Sequence, residues 1–139
     1  MATRVFVYGT LMFRECNHHW MRGARLLGQC VSSPRYSLWS LGAYPVLCPH
    51  GRCRVHGEVY QISHAHLRRL DVLEEYPRFY LRRLEPTRFG PAWLYYQHAV
   101  PSQARALPGG CWRRRRHRPL TRSTFAGVEA VQGRQRDLA

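Results

Sequence analysis

A glutamate at position 74 closes an apolar series that returns at helical spacing, with Leu67, Leu70 and Leu73 before it. At about 100 degrees per residue, Leu67, Leu70 and Glu74 fall on one side of a helix, so a carboxylate stands at the end of an apolar stripe. Removing a carboxyl from water disfavours its charged form, which is how a glutamate becomes a usable acid or base near neutral pH. A Glu74 beyond the last helical turn would instead meet solvent or one of the many arginines, and the pattern alone weighs the two outcomes equally. More than sixty residues upstream, Tyr8-Gly9-Thr10-Leu11 ends an apolar run with a glycine. The backbone N–H groups that follow have no obligatory ladder partner and can cradle a small anion, with the Thr10 hydroxyl beside them. Taken alone these four residues are an ordinary strand exit; together with Glu74 they are two halves of a site.

The elements that must position these groups are legible in outline. Residues 4–8 alternate and are rich in β-formers, giving a first strand that feeds the Gly9 loop. Residues 17–22 suit a short helix capped by Asn17. Residues 24–31 and 36–41 are two further strands separated by the turn residues Ser32-Ser33-Pro34. Gly42-Ala43-Tyr44-Pro45 interrupts the pattern and suits a pocket-lining loop. Residues 55–62 are a strand, after which Ser63 caps the best helix in the chain, residues 64–74. Residues 79–84 and 92–96 are the last strands, joined by a turn around Pro86 and Gly90. This order lacks strict βα alternation and predicts a single α+β domain, a mixed, barrel-like sheet with one or two packed helices. The domain covers residues 1–112. Beyond Trp112 no hydrophobic period survives, and residues 113–139 read as an arginine-rich tail, disordered or loosely attached.

Composition narrows the function. The 139 residues are 45% hydrophobic and carry a formal net charge of +14, a globular composition with a strongly basic balance. Every one of the 22 basic residues is arginine, and eight of them follow Trp112 against only Glu129 and Asp137. Without a stripe of arginines interleaved with exposed aromatics, nucleic-acid binding is a minor reading, confined to the tail. Residues 1–13 hold only the short run Val5-Phe6-Val7-Tyr8 before a glycine, too brief for a signal segment or a membrane span, so the reading is a cytoplasmic protein with no membrane partner. The five cysteines sit at irregular positions and read as free thiols. Cys48-Pro49-His50-Gly51-Arg52-Cys53-Arg54-Val55-His56 places two thiols and two imidazoles close together, but matches no standard zinc spacing. Pro49 and Gly51 suit a hairpin turn equally well, and no metal is expected.

Several separated motifs, in order, resemble the γ-glutamylcyclotransferase-like (AIG2-like, γ-glutamylamine cyclotransferase-like) family, and its short bacterial members above all. They are Val5-Phe6-Val7-Tyr8-Gly9-Thr10-Leu11, Asn17, Leu27-Gly28, Leu41-Gly42-Ala43-Tyr44-Pro45, Val55-His56-Gly57-Glu58-Val59-Tyr60 and Leu70-Asp71-Val72-Leu73-Glu74, continued by Tyr80 and Arg82. The resemblance covers roughly residues 4–112. It implies a reaction in which the free α-amino group of a γ-glutamyl compound attacks its own γ-carbonyl, forming 5-oxoproline and releasing the attached amine, amino acid or peptide, with no cofactor. It also implies that Tyr8, Gly9, Thr10 and Leu11 hold the glutamyl moiety while Glu74 moves the proton. Tyr44 and Tyr80 then wall the pocket or donate hydroxyls, although plain core is the commoner fate of a tyrosine in an alternating strand.

The chain departs from the family pattern after Glu74, where glycine is common and Glu75-Tyr76-Pro77 stands instead. If the helix runs on, Glu75 points about 100 degrees away from Glu74, which favours Glu74 as the acid/base. Glu58 is structural unless it faces inward. A nearby arginine such as Arg82 would oppose the effect of burial on Glu74. Two other functions compete: a catalytically silent module that binds γ-glutamyl-type small molecules, and an arginine-rich nucleic-acid binder.

Overall fold

A computed structural model describes residues 2–117. Residues 118–139, and with them most of the expected tail, lie outside the described residues. Eight strands form: β1 (Ala2–Val7), β2 (Arg25–Val31), β3 (Tyr36–Ser40), β4 (Pro45–Cys53), β5 (His56–Ser63), β6 (Leu81–Glu85), β7 (Ala92–Tyr96) and β8 (Arg105–Ala106). A helix, α1 (His64–Leu73), follows β5 directly. The mixed α+β reading holds, but the barrel-like sheet is not closed. Five strands order as β2-β5-β1-β7-β6 and three as β4-β3-β8.

β1 sits at the centre of the larger sheet, antiparallel to β5 and parallel to β7. That position explains why Val5, Phe6 and Val7 all have to be apolar, since each is wholly buried. The β1/β5 pairing is tight at Gly57, where an added Cβ would lie 2.4 Å from the Val7 carbonyl oxygen. Only glycine allows the two backbones to meet there. The sheets join where the Gln97 N–H donates to Leu47 O (2.9 Å), and where Glu85, buried at the end of β6, accepts from Ser33 N–H (2.8 Å) and from the Tyr36 hydroxyl.

Three local expectations change. Pro49 and Gly51 do not end a strand. Ser37 pairs with Cys48 and Tyr36 with Cys53, so the intervening residues bulge out of β4. Asn17 precedes a 3-10 helix, His18–Met21, without capping it by its side chain. The third change concerns Arg113, which falls in a short 3-10 helix, Arg113–His117, and is tied to the body. Trp112 just before it is wholly buried.

The helix starts and stops for separate reasons. Ser63 Oγ accepts from His66 N–H (3.0 Å), satisfying one open donor of the first turn. Leu67 and Leu70 form its buried face. At the other end Glu74 is the C-cap, its N–H donating to Leu70 O (2.8 Å), and Glu75 turns into the left-handed region at φ +54°. The helix therefore does not run on, and the expected 100-degree offset between Glu74 and Glu75 does not apply.

Candidate active site

The end of α1 delivers Glu74 into the interior with no exposed surface. Glu75 is exposed, and the break between them is what separates the two carboxyls. Glu74 acts on three phenols: Tyr8, directly after β1, Tyr80, directly before β6, and Tyr95 of β7. Burial and then the charge of Glu74 raise the phenol of Tyr8 well above its ordinary range, with a smaller contribution from Cys48. Tyr80 is raised by burial, then by Tyr8 and by Glu74, with Tyr44 and Cys48 also felt. Tyr95 is raised by burial, by its bond to Asp71 and, more weakly, by Glu74. The Cys48 thiol is pushed up to about 11 by burial. These phenols and this thiol are neutral at physiological pH, so they can donate hydrogen bonds but are not activated nucleophiles.

Each hydroxyl has a defined partner. Tyr8 donates to Tyr95 O (2.7 Å) and Tyr80 to Pro45 O (2.7 Å). Tyr44 is buried and its ring meets Phe79 edge-on at 6.4 Å, while Phe79 meets Tyr80 at 5.2 Å. Tyr44 and Tyr80 thus share one aromatic wall.

The loop after β1 is held from several directions. Met12 N–H donates to Gly9 O (3.1 Å), closing a turn, and Asn17 N–H donates to Thr10 O (2.9 Å). The Asn17 side chain, free of a capping duty, donates to Thr10 Oγ1 (3.1 Å). A ring nitrogen of His18 bonds to Leu11 O (2.9 Å). Gly9, Thr10 and Leu11 are all buried in this frame.

Glu58 is the loop's main anchor. Its Oε1 accepts from Phe13 N–H (2.9 Å) and from the Tyr60 hydroxyl (2.9 Å), while Oε2 faces Arg113 Nη2 at 3.2 Å. It is buried, and all these bonds are structural. Arg82 is engaged by Asp71 and two rings. It forks onto Asp71 (2.8 and 3.1 Å) and lies between the rings of Tyr76 and Trp93 at 4.5 and 4.3 Å. Asp71 also accepts from the Tyr95 hydroxyl (2.7 Å). Asp71, one helical turn before Glu74, therefore docks the last turn of α1 on β6 and β7. Tyr95 escaped the sequence reading, because its partners lie far away along the chain and only its place in a tyrosine pair hinted at it.

Among the described residues no three His, Cys, Asp or Glu side chains converge on a point that a metal could occupy, and no helix is long and apolar enough to cross a membrane. A cleft of about 830 Å³ opens elsewhere, lined by Met12, Cys30, His56 and several arginines and not by Glu74 or Tyr80.

Residues 5–114 match the family described as Gamma-glutamyl cyclotransferase, AIG2-like. The gamma-glutamylcyclotransferase family protein YtfP of Escherichia coli K12 is 42% identical over 109 residues, which are 78% of this chain and 95% of that one. The solution NMR structure of the E. coli protein superposes with a TM-score of 0.67 at 39% identity, covering 84% of this chain and 100% of the other. An uncharacterized protein from Pyrococcus horikoshii superposes with a TM-score of 0.73 at 25% identity, covering 83% and 93%. With a match that spans most of its length and relatives this similar over nearly their whole length, the chain belongs to the gamma-glutamyl cyclotransferase, AIG2-like family.

Proposed function

We propose that this protein is a cyclotransferase that converts a γ-glutamyl amine, amino acid or peptide into 5-oxoproline and the free amine, with Glu74 as general acid and base. The observation that carries this reading is a wholly buried carboxyl at the end of α1 among phenols and a thiol that all remain neutral. Such a cluster offers a proton acceptor but no activated protein nucleophile. It suits a substrate that brings its own.

In the proposed step Glu74 takes a proton from the substrate's α-ammonium, and the freed amine attacks the γ-carbonyl carbon. The new C–N bond closes the five-membered lactam. As the bond to the leaving amine breaks, Glu74 passes this proton to that nitrogen, and the second proton shed by the ring nitrogen follows the same route, so the lactam is neutral and the amine leaves as its ammonium ion. No water and no cofactor enters the balance. An α-amino group titrates near ~8 and an unperturbed glutamate near ~4.3, so a base in water would be poorly matched. Removal of the Glu74 carboxyl from water disfavours its charged form, the direction that such a base needs. The loop at Tyr8, Gly9, Thr10 and Leu11 would hold the glutamyl moiety curled near its attack geometry, the source of the proximity gain, with Tyr44 and Tyr80 as the wall of the pocket.

The test is 5-oxoproline formation, followed by mass spectrometry, from γ-glutamyl amino acids, γ-glutamyl amines, ε-(γ-glutamyl)lysine and glutathione. Glu74→Gln should lower kcat by roughly 10²–10⁴-fold, the usual contribution of a positioned acid/base. Equal turnover by this variant would remove Glu74 from the mechanism. No turnover of any of these compounds, with binding retained, would favour a silent binding module.

A further inference from the structure

The cleft away from Glu74 is built from five parts of the chain: Met12 after β1, the end of β2 and the turn after it, the entry to β5, the turn after β6, and the segment that includes Cys111 and Arg113. Its charged lining has one sign. Arg54, Arg88, Arg113 and Arg114 face it together with His56, and no aspartate or glutamate does. Arg113 is compensated from behind by Glu58 at 3.2 Å and Glu15 at 3.9 Å. Arg54, Arg88 and Arg114 make no ion pair among the described residues.

Two of these guanidinium groups are nonetheless held in place. Arg54 Nη1 donates to Ser32 O (3.2 Å). Arg88 donates from Nε and Nη2 to Gln29 O (3.2 and 2.7 Å), and its guanidinium lies 4.5 Å from the centre of the Phe89 ring. Carbonyl and ring contacts fix a guanidinium without cancelling its charge. Each arginine has five N–H donors, and these bonds use at most two of them. Like charges around a concave surface reinforce one another's potential, and the arginine fork matches phosphate oxygens in pairs.

We propose that this cleft is a second binding site, distinct from the Glu74 site, which takes a small phosphate-bearing anion of high charge such as pyrophosphate or the phosphate chain of a nucleotide. A volume of about 830 Å³ suits a small molecule. Convergence of the arginines into one hollow, rather than their spread along a stripe, distinguishes it from a surface that tracks a nucleic-acid backbone. The proposal stands whether or not Glu74 is catalytic. Met12, which lines the cleft, follows directly on the loop of the candidate active site, so an occupant would touch the residue next to that loop.

Cys111 gives a local readout, since it lines the cleft and is partly accessible, whereas the exposed Cys16 lies outside it. The experiment measures pyrophosphate binding to the full chain by calorimetry at fixed ionic strength, and alkylation of each cysteine by peptide mass spectrometry with and without pyrophosphate. Saturable binding should slow alkylation of Cys111 and leave Cys16 unchanged. Arg54→Ala and Arg88→Ala should each weaken binding about tenfold, the effect of losing one charge-assisted contact, with melting temperatures as the control for folding. Glu74→Gln should bind pyrophosphate as the parent does. Absence of Cys111 protection, or binding unchanged in the Arg54→Ala/Arg88→Ala double variant, would overturn the proposal. Protection by a single-stranded oligonucleotide but not by pyrophosphate would overturn it in favour of nucleic acid.

Discussion

Glu75 is in the left-handed region at φ +54°, directly after the helix C-cap. An L-residue there crowds its own Cβ against the following carbonyl at a cost of roughly 1–2 kcal/mol, a penalty glycine does not have. The exposed Glu75 side chain contributes nothing that offsets this. The backbone bonds on either side, Glu75 N–H to Val72 O (3.1 Å) and Phe79 N–H to Glu75 O (2.8 Å), are available to glycine as well. Against the gain stands the greater freedom of glycine in the unfolded chain, roughly 0.4–1 kcal/mol. Glu75→Gly should therefore stabilise the fold by about 0.5–1 kcal/mol, a rise of about 2–5 °C in melting temperature for a domain of this size. Glu75→Ala, which keeps the Cβ, should show no such gain. Thermal unfolding followed by circular dichroism on all three proteins decides the matter. If the glycine variant melts at or below the parent temperature, the reasoning from backbone conformation fails. Cyclotransferase turnover should be unaffected in the glycine variant, because the proposed acid/base is the residue before it.

Other outcomes follow from the same contacts. Glu58→Ala removes the acceptor of Phe13 N–H and Tyr60 OH and should destabilise by about 2–3 kcal/mol in denaturant titration, with Glu58→Gln recovering part of the loss. Asp71→Asn weakens the fork to Arg82 and should cost about 1–2 kcal/mol while also lowering turnover, since the end of α1 that carries Glu74 loses its dock. Gly57→Ala, with its Cβ 2.4 Å from Val7 O, should destabilise by about 3 kcal/mol or fail to accumulate as folded protein. Cys48, whose thiol is raised by burial from 9.0 to about 11, favours the protonated form in the folded state. The folded state then binds more protons than the unfolded one between these values, so this contribution to stability is complete below pH 9 and declines as pH rises toward 11. Melting temperatures measured from pH 8 to 11 should fall, and native Cys48 should resist alkylation at pH 8 while the exposed Cys16 reacts.

What the sequence revealed of this fold was what depends on neighbours along the chain. The cap at Ser63, the stripe of Leu67 and Leu70, and the β-forming runs of β1, β5 and β7 are local signals, and the structure has these elements within a residue or two, although the alternation read into β1 is absent because Val5, Phe6 and Val7 are all buried. The bulge in β4 was unreadable because Pro49 and Gly51 carry the same local chemistry whether a strand ends or loops out and resumes. Only the pairing of Ser37 with Cys48 and Tyr36 with Cys53 distinguishes the two. β8 has two residues, too few for any period to show. At the site, an apolar stripe led to Glu74 without deciding between burial and solvent, and the structure buries it. The helix stop at Glu75 was not legible, because a glutamate gives no local signal for positive φ. Tyr95 was invisible for a different reason: its hydroxyl meets Asp71, and its carbonyl meets Tyr8, only after helix and sheet have packed.

The bond network at Glu58 joins parts of the chain made far apart in time. Phe13 leaves the ribosome 100 residues before Arg113, which donates to Phe13 O (2.6 Å) and faces Glu58. Until Trp112 and Arg113 have emerged, the nascent domain lacks a wholly buried indole and one partner of its internal carboxylate. The anchoring of the loop that bears Tyr8 to Leu11 is therefore completed only when a residue made 100 positions after Phe13 arrives. A ribosome stalled before codon 112 would display strands able to pair but a first loop still without its final clasp, a state for chaperones to hold rather than a working protein.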